Sequence, residues 1–157
     1  MRDLPALRLA GRCDNNSIMN SIEQQLRAAA SDIFQNTPVL FAYLYGSHVK
    51  ELSHPFSDLD VGIFVEDIDT RACLELELSL GLRIDDKLNH AMQSEVRVLN
   101  HLPLVVKGRI LGEAKLIYTR DEAKRIAFET QVRKAYFDFL PVIQQYQQAY
   151  RKRALRQ

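Results

Sequence analysis

Apolar positions along this chain recur first at helical spacing and then in strand-like runs. Ile22, Leu26, Ala29, Ile33 and Phe34 form one stripe of a helix. Asn20 and Glu23, three residues apart, read as its capping box. Gln35-Asn36-Thr37-Pro38 ends it. The runs Val39–Tyr45 and Val61–Val65 are rich in β-branched and aromatic residues and apolar enough for a buried sheet. Glu66–Thr70 opens a further helix. Leu74 to Leu82 then alternates leucine with polar residues. That period of two argues for a strand, whereas Leu and Glu favour a helix. Glu95–Leu99 predicts a third strand, Leu104–Gly112 a short helix after Pro103, and Lys115–Tyr118 a short edge strand. A long helix is expected over Asp121–Leu140, capped by Asp121. Pro141 should kink or break it, leaving Val142–Arg156 as a last helix. Residues 1–17, with Pro5, Gly11 and Asn15-Asn16, read as an N-terminal arm, and residues 18–157 as one domain. Helices and strands alternate, which makes this an α/β (α+β) chain.

Composition narrows the class. At 157 residues, with 46% hydrophobic and 26% charged, the chain suits one globular domain with a real core. Twenty-one Lys plus Arg against twenty Asp plus Glu leaves a net charge of +1, which argues against non-specific nucleic-acid binding. Cys13 and Cys73 have no metal-ligand spacing and read as reduced thiols. No apolar run reaches membrane-spanning length and no signal-peptide core follows Met1, so a cytoplasmic protein is expected. His90 and His101 lack partners at zinc spacing and read as structural, and His48 and His54 as loop histidines. Tyr136, Phe137, Phe139, Tyr146 and Tyr150 give the C-terminal helices aromatic bulk for the core and for an interface.

The chemistry concentrates between residues 45 and 65. Gly46-Ser47 is followed, after ten residues, by Asp58-Leu59-Asp60. A glycine after an apolar strand lets the chain turn sharply and lets amide N–H groups approach a phosphate. Ser47 adds a small hydroxyl donor. Asp58 and Asp60, at i and i+2 of a strand, face the same side. Two such hard oxygen ligands suit Mg²⁺. A phosphate-cradling turn beside paired carboxylates is the equipment of nucleotidyl transfer.

Gly-Ser-x10-Asp-x-Asp resembles the signature of the DNA polymerase β-type nucleotidyltransferase superfamily, and the chain's small size resembles its minimal nucleotidyltransferase (MNT) branch. Glu95-Val96-Arg97-Val98-Leu99-Asn100-His101-Leu102-Pro103 is similar to the branch's third strand. Ile110–Tyr118 resembles the helix and strand that follow, and Phe128-Glu129 with Tyr136-Phe137-Asp138 the C-terminal helix. The resemblance spans residues 20–145. It implies a nucleotidyltransferase fold: a small mixed β-sheet packed by helices, with C-terminal helices. It also implies a helix, over about residues 69–81, for the alternating segment. The sequence departs from the pattern where Glu95 stands for the usual Asp, where His48-Val49-Lys50-Glu51 replaces a small-residue, Arg and Gly run, and where Ala114 replaces a common Gly.

Carried over residue by residue, the resemblance implies that Gly46, Ser47 and Lys50 hold the ATP phosphates. Asp58, Asp60 and Glu95 would bind Mg²⁺ and carry catalysis. The chain has little length left for an acceptor-binding domain. MNT members resemble antitoxins that pair with HEPN-domain ribonuclease toxins in hetero-oligomeric complexes. The implied activity is therefore a protein adenylyltransferase: AMP passes from ATP to a tyrosine of a cognate HEPN toxin and neutralises it. Two alternatives stay open. One is an antitoxin that acts by binding alone. The other is a small-molecule nucleotidyltransferase of the aminoglycoside-modifying kind.

Overall fold

The computed structural model describes residues 15–46, 58–66 and 68–154. Four helices and four strands follow in the order α1 (Asn15–Phe34), β1 (Val39–Tyr45), β2 (Leu59–Val65), α2 (Thr70–Lys87), β3 (Ser94–Val98), α3 (Leu104–Glu113), β4 (Lys115–Thr119) and α4 (Glu122–Ala154). The strands form one mixed sheet in the order β3-β2-β1-β4. β1 pairs antiparallel with both β2 and β4, while β2 and β3 run parallel. The expected small mixed sheet packed by helices is what the chain forms.

Side-chain alternation divides the apolar residues into two cores. Leu59, Val61, Ile63 and Val65 of β2 join Leu26, Ile33 and Phe34 of α1 and Leu80 and Ile84 of α2 on one face of the sheet. Phe41 and Tyr43 of β1 point to the other face, with Phe64 of β2 and Phe128 of α4 packed against that cluster. There Phe41 stacks on Phe64 with ring centroids 4.6 Å apart, and Phe128 tilts against both. The Tyr43 hydroxyl donates to Glu129 Oε1 at 2.7 Å, so α4 is tied to β1 by a polar bond inside an apolar layer. α3 and α4 approach closely at Gly108, where a Cβ would fall 2.3 Å from the Tyr136 ring.

Several expected boundaries move. α1 begins at Asn15, so Asn20 lies inside the helix and does not cap it. Glu23 instead forms ion pairs with Arg27 at 2.9 Å and with Lys115 of β4 at 2.7 Å. The last three residues assigned to the arm are thus helical; residues 1–14, including Cys13, lie outside the described residues. The alternating segment is helical, as the resemblance implies, and α2 runs six residues further, to Lys87. Asp69 caps it by accepting from the Ala72 N–H at 2.8 Å. Asp121 caps α4 in the same way through the Lys124 N–H at 2.9 Å. Pro141 does not end α4, which continues unbroken to Ala154. Proline removes one intrahelical donor, and on this exposed stretch the freed carbonyl can turn to water. Cys73 is a buried free thiol, and burial raises its pKa. No described helix is long and apolar enough to cross a membrane.

Candidate active site

Strand register brings the motif residues together. Tyr45, the last residue of β1, pairs across the antiparallel ladder with Asp60 of β2. Asp60 pairs in turn with Glu95 across the parallel ladder to β3. Paired residues on neighbouring strands project to the same face, so Tyr45, Asp60 and Glu95 form a row across three strands. Arg97, two residues beyond Glu95, shares that face.

Gly46 turns the chain immediately beside this row. Its φ is +85°, a conformation that side chains disfavour. A Cβ there would lie 2.0 Å from Asp60 Oδ2. The first turn of the motif therefore rests its backbone directly against the Asp60 carboxylate. Any residue but glycine would clash with it.

Asp60 is half-buried within β2, whereas Asp58 is exposed and precedes the first residue of the strand. The expectation that both carboxylates stand on the strand is met by Asp60 alone. Leu59 between them turns into the opposite core. Glu95 is engaged by Arg97, whose Nε donates to Oε1 at 2.8 Å and whose Nη2 reaches the same oxygen. Among the described residues, no group of three His, Cys, Asp or Glu side chains is gathered in a form that could hold a metal ion. Mg²⁺ bound with a nucleotide commonly takes only one or two protein carboxylates and completes its shell with phosphate and water. Asp60 and Glu95, hard oxygen donors in register on one face, fit that requirement. Ser47 and Lys50 lie outside the described residues, as do His48 and His54.

Two residues on this face were not singled out as functional from the sequence. Burial, then the negative charge of Asp60, pushes the Tyr45 hydroxyl up to about 12, against an opposing pull from Arg97. Tyr45 thus stands neutral beside the carboxylates at any ordinary pH. Arg97 is a cation on the same face. Its hydrogen bond and charge pairing with Glu95 raise its own pKa. Both were readable in principle: Tyr45 immediately precedes the turning glycine, and Arg97 sits at i+2 from Glu95 on a strand.

Comparison with known proteins places the chain in a family and a fold. The family model described as "Polymerase beta, Nucleotidyltransferase" matches residues 29–123. No curated protein matches the chain in sequence. Among solved structures, a chain of a toxin–antitoxin crystallised with AMP-PNP is 16% identical; the match covers 85% of this chain and 98% of that one, with a TM-score of 0.57. A chain of the complex between tri-AMPylated Shewanella oneidensis HEPN toxin and MNT antitoxin is 15% identical, with 87% and 98% covered and a TM-score of 0.53. A chain of a mutant MntA–HpeT toxin–antitoxin is 17% identical, again with 87% and 98% covered, and a TM-score of 0.55. At such identities the likeness is one of fold.

Proposed function

This chain belongs to the polymerase β nucleotidyltransferase family, and we propose that it is an antitoxin that transfers AMP from ATP to a tyrosine hydroxyl of a cognate HEPN ribonuclease toxin, neutralising it. The observation that carries this reading is the row Tyr45–Asp60–Glu95 with Gly46 packed against Asp60. It supplies a close-approach turn for phosphate and two carboxylates on one face. The fold shared with a chain of a toxin–antitoxin crystallised with AMP-PNP, and with a chain of the complex of an MNT antitoxin and an AMPylated HEPN toxin, supports it.

In this reading the Gly46 backbone, Ser47 and Lys50 hold the triphosphate. Asp58, Asp60 and Glu95 would hold Mg²⁺. Bound there, the cation would offset the triphosphate charge as bonds to phosphorus change. Glu95 takes the proton from the incoming tyrosine hydroxyl. The tyrosine oxygen forms its bond to the α-phosphorus, the bond from that phosphorus to the bridging oxygen breaks, and pyrophosphate leaves. To act, Glu95 must part from Arg97, whose guanidinium is then free to face the leaving phosphates. Orientation and charge complementarity carry most of the rate in such transfers.

The Glu95–Arg97 pair also favours a second reading, in which the chain neutralises its partner by binding alone. Intact-mass spectrometry of the cognate HEPN-type protein, incubated with this chain, ATP and Mg²⁺, separates the two. The expected result is a gain of one or more AMP units that Asp60→Asn abolishes. A stable complex with no mass gain would establish the binding-only antitoxin.

A further inference from the structure

Leucines two residues apart fall on opposite flanks of α2. Leu80 is fully buried and Leu76 packs at the edge of the core. Leu74, Leu78 and Leu82 lie at i, i+4 and i+8 on the outer flank and are 58%, 64% and 67% exposed. A single exposed leucine is ordinary, but three aligned on one helix face form a patch. This stripe lines one side of a groove of about 480 Å³, whose other side is β3. The groove's charge is of one sign: Glu77, Asp85 and Glu95 line it, and no described Lys or Arg does.

The outer edge of β3 is closed to strand addition where it meets α2. The Val98 N–H donates to Glu77 Oε1 at 2.7 Å and the Ser94 N–H to Asp85 Oδ1 at 2.8 Å. An occupant must therefore bind through side chains, in the manner of a helix laid in a groove. Glu95 lines this groove and also stands in register with Asp60. The groove opens beside the candidate reacting centre.

We propose that the α2–β3 groove docks the acceptor protein through a basic amphipathic helix. Its apolar side chains meet Leu74, Leu78 and Leu82, and its Lys or Arg side chains face Glu77 and Asp85. Apolar anchoring supplies affinity, and the one-signed rim selects a basic partner and speeds encounter. The proposal rests on the acceptor being a protein, as in the reading above. It adds where that protein sits.

The test measures binding of the cognate HEPN-type protein to the full chain by biolayer interferometry. The variants are Leu74→Ser/Leu78→Ser/Leu82→Ser, Gln93→Lys and Gln93→Glu. All four positions are exposed, and none lies in the phosphate or carboxylate machinery. The triple variant is expected to bind at least about tenfold more weakly, with its melting temperature and ATP-analogue affinity unchanged. Gln93→Lys should weaken binding and Gln93→Glu should not, with the difference shrinking in high salt. Wild-type affinity in the triple variant would overturn the groove while leaving the adenylyltransferase reading intact. Self-association of the wild type in sedimentation velocity, lost in the triple variant, would assign the stripe to a second copy instead. A wild-type chain that binds no HEPN-type protein would overturn both readings together.

Discussion

Gly46 and Asp60 touch so closely that a single methyl group at position 46 would overlap the carboxylate, 2.0 Å from Oδ2. The turn that opens the motif and the acid that closes it are thus one steric unit, although thirteen residues separate them. Gly46→Ala is expected to lose about 1–2 kcal/mol to its positive φ and more to the clash. Asp60→Ala removes the group the methyl would meet, so the two substitutions should be non-additive. Urea denaturation of both single variants and the double variant checks this. Strict additivity would mean that the contact carries no energy.

Asp60→Asn keeps shape and removes charge. It should lower AMP transfer by about 100-fold or more while the urea midpoint stays near wild type. Retained activity in the mass-spectrometric assay would rule out Asp60 as a metal ligand.

Arg97 holds Glu95 through a hydrogen bond from Nε to Oε1. Both side chains are about half exposed, so the pair should stabilise the fold by no more than about 1 kcal/mol. Arg97→Gln frees Glu95. Its expected effect is tighter Mg²⁺ binding, seen as a lower Mg²⁺ requirement for binding a fluorescent ATP analogue, with little change in stability. An unchanged Mg²⁺ requirement would show that the pair does not compete with the metal.

Glu23 ties α1 to β4. Burial raises its pKa, but the Lys115 hydrogen bond and charge, aided by Arg27, outweigh burial and hold the carboxyl below its ordinary value. A lowered folded-state pKa means stability that is present above the unfolded value of about 4.3 and lost as pH falls through the folded one. The melting-temperature gap between wild type and Glu23→Gln should therefore be widest near neutrality and begin to narrow as pH falls below the unfolded value. A gap that stays constant through the whole acid range would assign the effect to shape, not charge.

Pro141 sits within a helix that continues on both sides of it. Pro141→Ala should increase helicity and stabilise α4, by up to about 3 kcal/mol locally. Far-UV circular dichroism against temperature reads this directly. No gain would mean that the residues beyond Pro141 do not depend on the main body of the helix.

Local chemistry made much of this legible. The strands Val39–Tyr45 and Leu59–Val65 are buried by their own composition, and the Asp69 and Asp121 caps are short-range hydrogen bonds. The helix at 74–82 is different. Its period-two leucines suit a strand by pattern, and its helix-forming residues contradict the pattern. Only packing resolves the conflict: Leu80 goes into the core beside Ile84, and the intervening leucines are left outside. The capping box at Asn20 failed because α1 begins five residues earlier, at Asn15. Glu23 pairs instead with Lys115, ninety-two residues away.

Spacing along the chain singled out Gly46 and Asp60 as candidates, because the geometry of a turn and of a strand depends on neighbours a few residues apart, and the family resemblance added Glu95. The alignment of Asp60 with both Tyr45 and Glu95, the capture of Glu95 by Arg97 and the outward leucine stripe beside β3 arise from strand register and helix packing. Those relations join residues distant in sequence, so the hydrophobic collapse of the whole sheet had to place them.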